Sequence, residues 1–208
     1  MNFFLRIKHW QFFLITFALP LVLEACFIPS VIFSQTFNPD IIIVFSIMML
    51  IMLFMQMGWS YTIGTNLHKR LPPSVSMPLK RFKWFLFIPV VYIALILLVV
   101  MPLVLKTMDI ESLDSSIPVV MSVALLLIIP LHLFSIFCLI YTLYFNAKSL
   151  KAVETQKQVT FSDFAGEFFL LWFFPVGVCI IQPRINKIFS EEPYDHNFSF
   201  MNDTDYTS

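Results

Sequence analysis

Three side chains able to do chemistry fall inside otherwise apolar stretches: Glu24, Gln56 and His132. A carboxylate, an amide and an imidazole in hydrocarbon can relay a proton or hold a cation, and each is expensive to bury without a partner. Counting inward from the helix ends on one side puts Gln56 and His132 level, about 15 residues deep, with Glu24 ~7 Å shallower. Thr16, Ser60 and Ser135 can extend such a cluster. The same residues serve equally as interhelical hydrogen-bond glue, worth roughly 1 kcal/mol each, and that is their commoner use. Glu24 also reaches water if Pro29 ends its helix a turn later.

Two further patterns invite a chemical reading. Asp163 and Glu167 lie one turn apart on a shared helix face, where paired acids can do acid–base or metal work. At such a position they more often cap and solvate a helix start. Met48, Met52 and Met55 recur at i, i+4 and i+7, and thioethers suit Cu(I), with Cys26 and Cys138 as further soft ligands. Flexible apolar filler is the commoner use of methionine. No HExxH, GxSxG, P-loop or GxGxxG is present, and Gly58, Gly64, Gly166 and Gly177 are too dispersed to cradle a phosphate. The expectation is a non-enzymatic chain with no catalytic residues, cofactor or metal.

The elements that position these residues follow from composition. The 208 residues are 59% apolar and 12% charged, against about half and about a quarter in a soluble domain. Too few polar groups remain to cover a water-facing surface, so the main solvent is lipid. Net charge is zero, and no nucleic-acid partner is implied. Cys26, Cys138 and Cys179 are isolated and odd in number, which argues against a disulfide framework.

Four segments reach the ~20 apolar residues that cross a bilayer: about 10–33, 41–63, 84–105 and 117–145. The last is long enough to require tilt, a kink at Pro130 or projection from the bilayer. Arg6 and Lys8 precede the run QFFLITFALPLVL as in a signal peptide, and Leu23–Cys26 loosely resembles a lipoprotein box. Glu24 is wrong for that box and Cys26 leads into more apolar chain, so the segment reads as a retained first span. SQTFNPD reads as a turn and KTMDIESLDSS as an acidic loop. NAKSLKAVETQKQVT continues the fourth helix at first, and 191–208 is an acidic, disordered tail.

Basic residues fix the orientation. Arg6, Lys8, Lys69, Arg70, Lys80, Arg81, Lys83, Lys148, Lys151 and Lys157 fall on one side, and Lys106 alone on the other. The N-terminus and the 65–83 loop are therefore expected in the cytoplasm. Lys69, Arg70, Lys80, Arg81 and Lys83, beside Phe82 and Trp84, suit anionic lipid headgroups or a docking partner.

The stretch 161–189 is a fifth apolar segment, broken by Pro175 and Gly177. Its core without polar residues, Phe168–Ile181, spans only ~21 Å as a helix, and the segment starts after a cap at Ser162-Asp163. A crossing would strand Arg184 and Lys187 on the wrong side. A re-entrant or interfacial element returns both to the cytoplasmic headgroups and keeps the C-terminus there. The expected fold is all-α: a polytopic membrane domain over 1–190 with four transmembrane helices and this broken segment.

FLRIKHW, YTIGTNLHKRLP and FAGEFFLLWFFPVGVCIIQPRINKI together resemble stretches of an uncharacterised group of small bacterial polytopic membrane proteins. The resemblance covers the chain ends and the central loop. It implies a bacterial inner-membrane location and carries over no catalytic or binding residue. The expected function is a subunit or accessory protein of a larger inner-membrane complex, in contact with lipid and other membrane subunits. The alternatives are a small transporter or channel lined by Glu24, Gln56 and His132, and, third, a membrane-embedded enzyme.

Overall fold

A computed structural model describes residues 3–34, 39–102 and 117–190. The turn at 35–38, the acidic loop within 103–116 and the tail 191–208 expected from the sequence fall outside the described residues. All regular structure described is helical. Short α1 (Phe3–Arg6) precedes α2 (His9–Phe13), which runs through a π-helical turn, Leu14–Ala18, into α3 (Leu19–Ser34). Helix α4 covers Pro39–His68, and α5 (Leu79–Leu95) continues through a second π turn, Ile96–Val100. Helix α6 is Ile117–Thr155, α7 Phe161–Trp172 and α8 Phe174–Ser190.

Four helical stretches are long and apolar enough to cross a membrane: His9–Cys26, Ile43–His68, Leu79–Val100 and Leu126–Thr155. The chain is thus an all-α polytopic membrane protein, and the ends of these stretches differ from those read from the sequence by up to 10 residues. The differences arise at prolines and at the ends. Pro29 lies inside α3, which runs on to Ser34, so it does not end the helix after Glu24. Each π turn stops two residues short of a proline, Pro20 or Pro102. A proline cannot donate to the helix ladder and crowds the carbonyl four residues earlier, and a widened turn absorbs that clash.

At 39 residues, α6 is ~58 Å long at ~1.5 Å per residue, nearly twice the hydrocarbon thickness. It stays helical through Pro130, and its surplus length packs against α7 instead of standing in solvent. Ala147, Leu150 and Val153 there join Trp59, Ile63, Leu67, Phe164, Val178 and Ile185 in one buried cluster. A second cluster around Phe82, Leu86, Val90 and Phe145 seats α5. Phe82 stacks on Phe145 with centroids 4.2 Å apart. The protein core is therefore eccentric. At the other end of α6, residues 129–134 are all exposed, which leaves that half-helix to lipid or to another chain.

The fifth apolar segment does not continue as one rod. Phe173, at φ −85° and ψ 61°, ends α7, and its carbonyl accepts from the amides of Val176 and Gly177 to start α8. Pro175 falls in the first turn of α8, where its missing donor costs nothing. Gly177 then lies against the Leu170 backbone so closely that a Cβ would sit 1.7 Å from its carbonyl oxygen. The two arms, 12 and 17 residues long, fold back on each other. One flank of this hairpin is buried, and Phe169, Trp172, Phe173, Val176 and Ile180 on the other are exposed.

Candidate functional site

The start of α7 is built by a capping box whose N-cap lies two residues before Ser162 and which includes Asp163. Thr160 is the N-cap, and Asp163 Oδ2 accepts from the Thr160 amide and hydroxyl, each at 2.7 Å. Those two hydrogen bonds hold the Asp163 carboxyl below its usual range. The position suits an acid, since unpaired amides gather at a helix start.

Glu167 behaves differently from its neighbour one turn back. It is 7% exposed, on the stripe of Phe164 and Leu171 that faces the core. Its Oε1 accepts from Lys151 Nζ of α6 at 3.3 Å and from Arg184 Nη2 of α8 at 2.8 Å. Arg184 also grips Glu154 of α6, through Nε at 2.7 Å and through Nη2 to the second oxygen. Burial by itself would push Glu167 up, but the hydrogen bonds and positive charge of Arg184 and Lys151 hold it below the usual range. Arg184 is pushed up, first by its hydrogen bond to Glu154, against the opposing effect of burial. Two carboxylates and two cations thus cancel at the meeting point of α6, α7 and α8.

A second polar centre ties the chain's two ends together. Trp59 Nε1 donates to Gln182 Oε1 at 2.7 Å, and Gln182 is fully buried. Gln182 Nε2 donates to the carbonyls of Phe4 at 2.8 Å and Ile7 at 3.3 Å, and to Asn186 Oδ1 at 2.9 Å. Asn186 Nδ2 donates to the Ile7 carbonyl. Phe12 stacks on Trp59, and Phe174 meets both rings edge-on. A third contact joins α6 to α4, where Asn146 Nδ2 donates to Ser60 Oγ at 2.6 Å. Asn146 Oδ1 is left unpaired and lies so close to Gly64 that a Cβ there would meet it at 2.5 Å.

The three intramembrane candidates are not joined to one another. Glu24 and Gln56 are half-buried, and no hydrogen bond or ion pair links either to His132. His132 is exposed, with its Nδ1 3.1 Å from Tyr92 Oη. Thr16 is buried with its hydroxyl unpaired, whereas Ser60 meets Asn146. Cys138 is buried and Cys26 exposed. Of the basic candidates, Lys69, Lys80, Arg81, Lys83 and Lys187 are exposed. Lys83 Nζ lies 5.7 Å from the Tyr61 ring centre. Arg70 is half-buried, lies over the Phe189 ring at 4.5 Å and donates to the Ile188 carbonyl.

Glu167, read with Asp163 as a solvated acid at a helix start, is buried instead; the missed signal is that positions 164, 167 and 171 share one helix face and the flanking two are apolar. No local signal marks Trp59 and Gln182, which are 123 residues apart, or the partner choice of Asn146 and Tyr92. The arrangement can fasten elements, fix a sharp hairpin and keep charge neutral at its base. No protein-family model, curated protein or solved structure matches the chain.

Proposed function

We propose that this chain is a non-enzymatic subunit or accessory protein of a larger assembly in the bacterial inner membrane. One observation supports it above others: the deeply buried polar side chains Glu167, Gln182 and Asn146 each bind one element to another. Side chains spent in this way build a rigid scaffold. Affinity purification in mild detergent is expected to recover partner proteins in fixed stoichiometry, and a chain that purifies without any other protein overturns the reading. A transporter path through Glu24, Gln56 and His132 is the weaker reading, because His132 turns to the outer surface.

The proposed orientation puts the N-terminus, the 65–83 loop and the hairpin ends in the cytoplasm. Its support is the charge count together with contacts that gather these segments at one end of the bundle. The N-terminal carbonyls bind Gln182, Gln158 donates to Ser74 and Arg70 to Ile188. Exposed Lys80, Arg81 and Lys83 beside Trp84, itself 68% exposed, fit an anionic headgroup layer. Vesicles with and without phosphatidylglycerol test that contact, and equal binding of the Lys80, Arg81 and Lys83 triple alanine variant would remove it.

A further inference from the structure

Away from the span ends, the outer surface is apolar with a single exception. Over Phe12–Cys26, Ile43–His68, Phe85–Val100 and Leu126–Ile140, every exposed side chain among the described residues is apolar except His132. Thr16, Ser46, Ser60 and Ser135 are buried, and Glu24 and Gln56 are half-buried. His132 lies 15 residues from the start of α6 and 23 from its end, far from either helix terminus. Tyr92 occupies Nδ1, and Nε2 has no partner among the described residues. Hydrocarbon offers that nitrogen nothing, so an unmet ring donor or acceptor here is a place for a partner.

We propose that this face of α5 and α6, centred on His132, is the contact between two copies of the chain. The chemistry favours a second copy because the face is self-complementary. Nε2 of a neutral imidazole donates in one tautomer and accepts in the other, and the Tyr92 hydroxyl can accept from or donate to Nδ1 in step. Two such faces about a two-fold axis satisfy each other when Nε2–H of one copy donates to Nε2 of the other. No charge is created. A partner presenting a carboxylate would instead bring a charge into hydrocarbon, a costlier arrangement. Ile129 and Ile136, three residues before and four after His132, share its helix face and are 56% and 38% exposed. They provide stiff apolar walls for the contact.

The inference goes beyond the subunit reading and does not depend on it. Its test uses the full chain in phosphatidylethanolamine–phosphatidylglycerol vesicles, with Cys26, Cys138 and Cys179 replaced by alanine. A short bis-maleimide is expected to link two chains through Ile129→Cys or Ile136→Cys, and not through Phe54→Cys on the exposed side of α4. Energy transfer on lipid dilution is expected to show about 3–20-fold weaker dimerisation for His132→Leu. His132→Gln keeps a donor and an acceptor and retains most of the affinity. Ile136→Trp blocks the face while sparing His132, and it too is expected to leave monomers. Wild-type chains that stay monomeric at every dilution overturn the proposal, as does equal cross-linking through Phe54→Cys. Undiminished pairing of His132→Leu overturns it as well, and so does a different protein linked at Ile136→Cys in native membranes. A dimer that purifies with no other protein supports it while overturning the subunit reading.

Discussion

Glu167 Oε1 and Arg184 Nη2 meet at 2.8 Å, one on each arm of the C-terminal hairpin. That contact closes the fold-back, and Glu154 and Lys151 of α6 hold the closed hairpin against the longest helix. Removing one member of a buried pair leaves the other uncompensated, at a cost of about 3–5 kcal/mol. Arg184→Met leaves Glu167 buried with only Lys151 opposite it, and is expected to destabilise by up to that order in a denaturant titration in detergent. Glu167→Ala is expected to cost less, since Arg184 keeps Glu154 and is 29% exposed. The double variant should fall short of the sum, and strict additivity would show that the two side chains do not interact.

Gly177 and Gly166 make opposite predictions within one hairpin. An added methyl at Gly177 collides with the Leu170 carbonyl, whereas nothing lies within 4 Å of the corresponding position at Gly166. Gly177→Ala is expected to force the arms apart and expose the hairpin to protease. Gly166→Ala should instead stabilise α7 by about 0.5–1 kcal/mol through helix propensity. Equal proteolysis of the two variants would contradict the fold-back geometry.

Gln182 connects Trp59 to the N-terminal segment, so its loss should be felt at the opposite end of the chain. Gln182→Leu leaves the Trp59 N–H buried without an acceptor, a cost of about 1–3 kcal/mol. It also removes one donor from each of the Phe4 and Ile7 carbonyls. Faster hydrogen exchange over residues 3–13 is expected, while Asn146→Ala, in a separate contact, should leave that segment unchanged.

Acid should loosen the hairpin base, and ordinary alkaline conditions should not. The Glu167 and Asp163 carboxyls are held below their usual range, so the folded state binds their protons more weakly than the unfolded state. Their contribution is fully present above the ordinary carboxylate value of about 4.3 and is lost as pH falls through the lower folded values. Arg184 is pushed up and stays charged on the alkaline side. Stability is therefore expected to be flat from about pH 5 to 8 and to drop below about 4. Glu167→Gln should flatten part of that drop, and an unchanged acid profile would refute the linkage.

The hairpin also predicts accessibility. Lys8→Cys and Ser190→Cys, both at exposed positions, are expected to react with an impermeant maleimide from the same side of the membrane. Labelling from opposite sides would mean that 161–190 crosses.

What the sequence by itself determined is what hydrophobicity and chain stiffness impose locally. Runs such as Ile41–Ile63 exceed the hydrocarbon thickness without a charge, so they must be helices in lipid. Pro175 and Gly177 mark the only interruption in the last apolar run, and basic residues segregate to one set of loops. Those signals act over a few turns and survive without knowledge of neighbours. Only the tertiary structure decided which polar groups face which. Glu167 sits one turn from Asp163, yet one caps a helix in solvent and the other closes a buried charge network. Gln56 and His132 are level in a linear count, but depth says nothing about direction around the helix. Rotation of α6 puts His132 outside against Tyr92, and packing of α4 against α6 gives Asn146 to Ser60. Pairing across 123 residues, as between Trp59 and Gln182, depends on where every intervening helix packs, and no local pattern encodes it.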